Sequence, residues 1–247
     1  GEGREHPYLA NTLNNLSLAL QYQGRSGEAE APVRESLRMW RTLVGDNHPH
    51  TAVALTNLAF LHQTRGQYAA AESLYREALS IQEATGEENA AGRMRATHNL
   101  ARILHIRNQY GDAEVLYRKA IELGEGSLGA DHPDVAETRL ALAALHVDQG
   151  RLSEADPLLR DAVAFPWPRG SWLETLALNT LAVCEAREGR VGEANSLFAR
   201  CRAGLLGASG APAWKREPLE RTIGVYEAWN LPEEAAVYRR ELESLPR

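Results

Sequence analysis

One turn residue recurs along this chain at a nearly fixed period, and that period limits the fold more than any other feature. Gly or Asn stands at Gly24, Gly66, Asn108, Gly150, Gly189 and Asn230, at spacings of 42, 42, 42, 39 and 41 residues. Both residue types tolerate the left-handed backbone that ends a helix in a tight turn. Eight and seven residues before the turn stand Leu16-Ser17, Leu58-Ala59, Leu100-Ala101, Leu142-Ala143 and Leu181-Ala182. Five residues after it comes alanine every time: Ala29, Ala71, Ala113, Ala155, Ala194 and Ala235. Small residues at fixed offsets on both sides of a turn let two antiparallel helices cross closely. Leu74, Tyr75, Leu116 and Tyr117 fill the remaining space at helical spacing.

A second marker keeps the same register. His6-Pro7, His48-Pro49 and His132-Pro133 lie 42 and 84 residues apart, and the missing copy falls at Ala90-Ala91. Proline at the first helical position starts a helix. One hairpin of this kind cannot bury its apolar stripe alone, so neighbours must stack. The expected fold is all-α: a right-handed superhelical solenoid of about six stacked antiparallel helix hairpins. The units run over 6–47, 48–89, 90–131, 132–170, 171–212 and 213–247 of one array covering 1–247.

His48-Pro49, Thr56-Asn57-Leu58-Ala59, Gly66-Gln67-Tyr68 and the run from Ala71 to Leu79 carry a family resemblance. The chain resembles the tetratricopeptide-repeat (TPR) family, in the 42-residue form of kinesin light chains and many bacterial signalling proteins. The resemblance spans nearly the whole chain. It implies a protein-binding scaffold, and it specifies fold far better than function.

Departures from the pattern are local. Phe165 to Gly170 interrupts the fourth unit, and a new helix opens with a capping box at Ser171 and Glu174. The expected arrangement there is a tight loop with Trp167 and Trp172 packed on neighbouring helices. In the sixth unit Thr222-Ile223 replaces the Leu-Ala pair, as suits a terminal repeat. Gly3 to Pro7 resembles the inter-repeat loop before Pro133, so the N-terminus reads as an excised piece of a longer array.

No catalytic constellation emerges. Gly124 to Gly129 matches GxGxxG, but a helix and not a strand precedes it, and the expected placement is the recurring inter-repeat loop. The His-Pro histidines are a repeat or more apart, too far to share a metal. His62 and His146 read as packing histidines, and Cys184 and Cys201 as buried structural thiols. The expectation is therefore a non-enzyme with no cofactor, no metal site and no catalytic residue.

The first helix of each TPR hairpin lines the groove, so the working surface can be counted back from the turn. The candidate peptide-binding residues are Asn15, Asn57, Phe60, Arg95, His98, Asn99, Arg102 and His105. Arg95, His98, Arg102 and His105 fall at i, i+3, i+7 and i+10 of one helix. In peptide-binding relatives, the asparagine at the position of Asn15, Asn57 and Asn99 contacts the ligand backbone or carboxylate, and basic residues one repeat on hold acidic groups, a role the resemblance carries over to Arg95 and Arg102. That asparagine is lost at Ala141.

A net charge of −6 argues against nucleic acid, and no apolar run is long enough for a membrane helix. Two cysteines and no apolar signal segment indicate the cytoplasm. The expected partner is a protein or peptide, acidic and partly aromatic. The alternatives are a regulatory or sensor arm of a larger signalling enzyme, or self-association of a scaffold whose groove stays idle.

Overall fold

A computed structural model describes residues 6–85, 89–167, 171–207 and 213–245. Among the described residues it contains twelve helices and no strand. In order they are α1 Pro7–Tyr22, α2 Ser26–Val44, α3 Pro49–Thr64, α4 Tyr68–Ala84, α5 Ala90–Ile106 and α6 Tyr110–Leu128. Then follow α7 Pro133–Asp148, α8 Leu152–Ala164, α9 Trp172–Arg187, α10 Val191–Gly207, α11 Ala213–Ala228 and α12 Pro232–Ser244. The chain forms two compact units, residues 1–138 and 139–247, with the boundary inside α7.

All six recurring turn residues have positive φ, between 58° at Asn230 and 81° at Gly189. Each closes its helix in the same way. The N–H after the turn residue donates five residues back, as in Arg25 to Leu20 (2.8 Å), Gln67 to His62 (2.8 Å) and Gln109 to Leu104 (2.8 Å). The turn residue's own N–H donates three back, as in Gly66 to Gln63 (2.9 Å). Those two bonds satisfy carbonyls that a helix end otherwise leaves unpaired.

The His-Pro pairs do more than place a proline. His6, His48 and His132 accept, through Nδ1, the N–H two residues on, at 3.3, 3.2 and 3.1 Å. Where the motif lapses, Asn89 Oδ1 takes over by accepting from Gly92 N–H at 3.0 Å. Ser171 likewise caps α9 by accepting from Leu173 N–H at 3.3 Å.

In the first unit, α1, α3 and α5 lie side by side, and each packs on its own second helix. Leu55, Leu58, Leu61, Tyr75 and Ala78 fill the layer between them. Where the small crossing residue is serine, its hydroxyl finds a carbonyl on the facing helix. Ser17 Oγ donates to Ala29 O (2.9 Å) and Ser36 Oγ to Ala10 O (2.7 Å). Outer-face ion pairs join successive hairpins: Arg65 with Glu30, Arg107 with Glu72, and Lys119 with Glu83 (2.8 Å).

The second unit packs α9 against α8, α10 and α11. Phe198, Leu159 and Leu178 are buried there, as are Cys184 and Cys201. Trp167 is buried and donates Nε1–H to Ala162 O (2.8 Å), while Trp172 is half-buried. The loop reading of Pro168 to Gly170 and the reading of Gly3 to Glu5 fall outside the described residues.

The GxGxxG segment is not a loop. Gly124 to Leu128 continues α6, and only Gly129 leaves it, at φ 92°. Packing explains the extension. A Cβ on Gly124 would sit 2.6 Å from Val135 Cγ2, so glycine lets α6 run on beside the start of α7.

Candidate functional site

The repeat register places the candidate residues on helices that already lie side by side. Thirteen, nine and six residues before the turn stand Val53, Asn57 and Phe60 on α3, and Arg95, Asn99 and Arg102 on α5. Asn15 holds the same place on α1 and is exposed; the side chain of Tyr22 falls outside the described residues. Arg95 is exposed, and Val53, Asn57, Phe60, Asn99 and Arg102 are half-buried. The result is a face with a row of three asparagines, apolar groups beside the middle one and cations on either side of the last.

Two of the expected residues face elsewhere. His98 and His105 are set back by about 60° and 80° from Arg95 around α5, at 100° per residue. His98 is only 8% exposed, and its Nδ1 lies 3.0 Å from Thr138 Oγ1 at the start of α7. Burial, with the nearby Arg102 charge, pushes its imidazole down to about 3, so the ring stays neutral. His105 packs edge-on to Tyr110 and Tyr117, with centroids 5.7 and 6.3 Å apart. Both histidines build the wall behind the open face.

Among the described residues neither Arg95 nor Arg102 forms an ion pair or hydrogen bond, whereas Arg25, Arg34, Arg65, Arg76, Arg107 and Arg118 all pair with glutamates. The Arg102 charge is felt instead at Tyr75, His98 and Glu137. Burial raises the Glu137 carboxyl above its usual range, an effect that Arg102 opposes.

Sequence reasoning did not foresee the buried polar pair below this face. Tyr75 OH donates to Gln63 Oε1 at 3.0 Å, and Gln63 sits three residues before the turn of α3. The signal was a glutamine at a register position that packs inward.

The second unit holds a different charged cluster. Asp156, Glu185 and Glu188 approach closely enough to suggest a cation site. Guanidinium groups already span them. Arg160 reaches Asp156 (2.9 Å) and the buried Glu185 (2.8 Å), and Arg190 reaches Glu185 and Glu188. The cysteines are equally quiet, since burial pushes the Cys184 and Cys201 thiols up to about 11 and about 12. No helix among the described residues is long and apolar enough to cross a membrane.

The tetratricopeptide-repeat sequence profile matches residues 8–84 and 92–165. No curated protein sequence matches the chain. Solved structures do. The nearly identical TPR-like repeats of a Podosopora anserina candidate kinesin light chain match with TM-score 0.64 and 23% identity, over 81% of this chain and 96% of that one. BtubC (BKLC) from P. vanneervenii matches with TM-score 0.69 and 22% identity, over 83% and 84%. A Rap protein complexed with Competence and Sporulation Factor matches with TM-score 0.73 and 14% identity, over 96% of this chain and 63% of that one. At these identities the likeness is one of fold.

Proposed function

The chain belongs to the tetratricopeptide-repeat family, and on that premise we propose that it is a protein-interaction module. Its first unit grips an acidic, partly aromatic peptide across the open face of α1, α3 and α5. The observation that carries the proposal is the pair Arg95 and Arg102. They share one face of α5 without a carboxylate partner among the described residues, in a chain whose other arginines are largely paired. Forked guanidinium donors suit carboxylates bidentately.

Each part of the face has a role in this proposal. Asn15, Asn57 and Asn99 offer a donor and an acceptor to a ligand backbone. Phe60 and Val53 take an apolar or aromatic anchor. His98 and His105 hold the wall of the site. The similar Rap structure, solved in complex with Competence and Sporulation Factor, supports a binding role for this fold.

Peptide display on the native chain and on an Arg95→Glu/Arg102→Glu variant with an unchanged melting profile tests the proposal. Acidic or aromatic peptides should enrich on the native chain alone, and their binding should weaken with salt. No enrichment, or the same peptides on both chains, rejects it.

A further inference from the structure

We infer that the cations of α5 form a seat for one doubly charged group, the phosphate monoester of a phosphorylated serine or threonine in the bound segment. This inference rests on the peptide-binding reading and narrows its ligand.

Arg95 and Arg102 are seven residues apart, which puts their Cα atoms about 10 Å apart on the same side of the helix. Asn99 stands between them. Arginine side chains rooted that far apart can bend toward each other and meet above Asn99. A single carboxylate placed there satisfies one guanidinium fork and leaves the second positive charge uncompensated. A phosphate monoester carries between about −1.5 and −2 charges and three acceptor oxygens at neutral pH. It can therefore take a fork from each arginine and still accept from the Asn99 amide.

The surroundings favour a dianion from the ligand over one from the protein. Among the described residues no carboxylate lies within ion-pair distance of either guanidinium. Glu137, an acid that senses Arg102, lies with its carboxyl 3.9 Å from His98 Nε2. His98 is buried and neutral, so it neither adds a charge nor competes for the oxygens. Among the described residues the two arginines are left without a direct carboxylate partner, Arg95 exposed and Arg102 half-buried.

Three degenerate peptide libraries test this, identical except for one fixed position: phosphoserine or phosphothreonine, glutamate, or serine. Each is bound to the native chain, to Arg95→Gln/Arg102→Gln, and to Arg102→Lys, which keeps the charge and loses the fork. The expected result is at least tenfold preference for the phosphorylated library over the glutamate one. That preference should vanish in the double variant and shrink several-fold in Arg102→Lys. Equal binding of the glutamate and phosphorylated libraries, lost in the double variant, overturns the phosphate seat and leaves the acidic-peptide site standing. Binding that ignores the fixed position or survives the double variant overturns both.

Discussion

The guanidinium of Arg65, at the turn of the second hairpin, is held against the carboxylate of Glu30 on the second helix of the first. The same clasp recurs 42 residues on, between Arg107 and Glu72. It ties the turns at Gly66 and Asn108 to the hairpins before them.

The clasp should be visible in acid. The hydrogen bond from Arg65, and then that from Arg34, holds the Glu30 carboxyl at about 2, against an ordinary value of 4.5. A depressed folded-state value means that the stabilisation is complete above the unfolded value and is lost as pH falls toward about 2. A double-mutant cycle of Arg65→Met and Glu30→Gln, read by urea unfolding, should give a coupling of about 0.5–1 kcal/mol at neutral pH. That coupling should fade toward pH 3. A coupling that stays constant with pH would mean that packing, not charge, joins the hairpins.

His98 should set a separate acid limit. Its folded value of about 3 lies below the ordinary 6.5. The unfolded chain therefore takes up a proton first, and stability falls as pH drops through the range between those values. The slope from this one group is at most about 1.4 kcal/mol per pH unit. Glu137, raised by burial, slopes the other way, so the comparison is best made in a Glu137→Gln background. There, His98→Gln should flatten the stability curve between pH 6.5 and about 5, where Glu30 is still charged. Parallel curves would contradict the burial of the imidazole.

Two neighbouring glycines of α6 should respond with opposite signs. A Cβ at Gly124 meets Val135 Cγ2 at 2.6 Å and Met94 Cγ at 3.3 Å, whereas nothing lies within 4 Å at Gly126. Gly124→Ala should cost about 1–3 kcal/mol through overpacking. Gly126→Ala, exposed on the same helix, should gain about 0.5–1 kcal/mol in helix propensity. Thermal melts of the two variants beside the native chain decide it. If both stabilise, α7 does not press on α6 at Gly124.

The sequence made the fold legible because each repeat needs the same left-handed turn. Only Gly and Asn meet that need cheaply, and all six such residues adopt it. The placement of Asn57, Asn99 and Arg102 at matching, half-buried positions of α3 and α5 was legible because register decides it. Placement was misjudged at His98 and His105, because a helical face reckoned at i+3 and i+10 drifts toward the next helix, and a polar ring tolerates burial once Thr138 or a tyrosine meets it. The α6 extension was hidden for a related reason. Three glycines in six residues suggest a loop, and only the approach of Val135 shows that one of them keeps two helices close.

The second unit offers a sharper test of buried polarity. Asn179 is fully buried on α9, and its Nδ2 donates to Pro218 O at 3.0 Å and to Thr222 Oγ1 at 2.9 Å on α11. Thr222 Oγ1 also donates to Pro218 O at 2.8 Å, so that carbonyl keeps a partner if the amide is removed. Asn179→Leu, close in volume, should therefore cost only about 1–2 kcal/mol. Asn179→Asp sets a carboxylate against two acceptors in a dry layer, and should cost about 3–5 kcal/mol at neutral pH. The introduced acid should hold its proton in the folded state, where its O–H can donate as the amide did. Its folded value then lies above its unfolded one, so stability returns as pH falls toward 5. Urea unfolding of both variants at pH 7.5 and pH 5 separates the cases. An aspartate variant as stable as the leucine one at neutral pH, or insensitive to acid, would mean that water reaches Asn179 and that the α9–α11 contact is looser than a packed core.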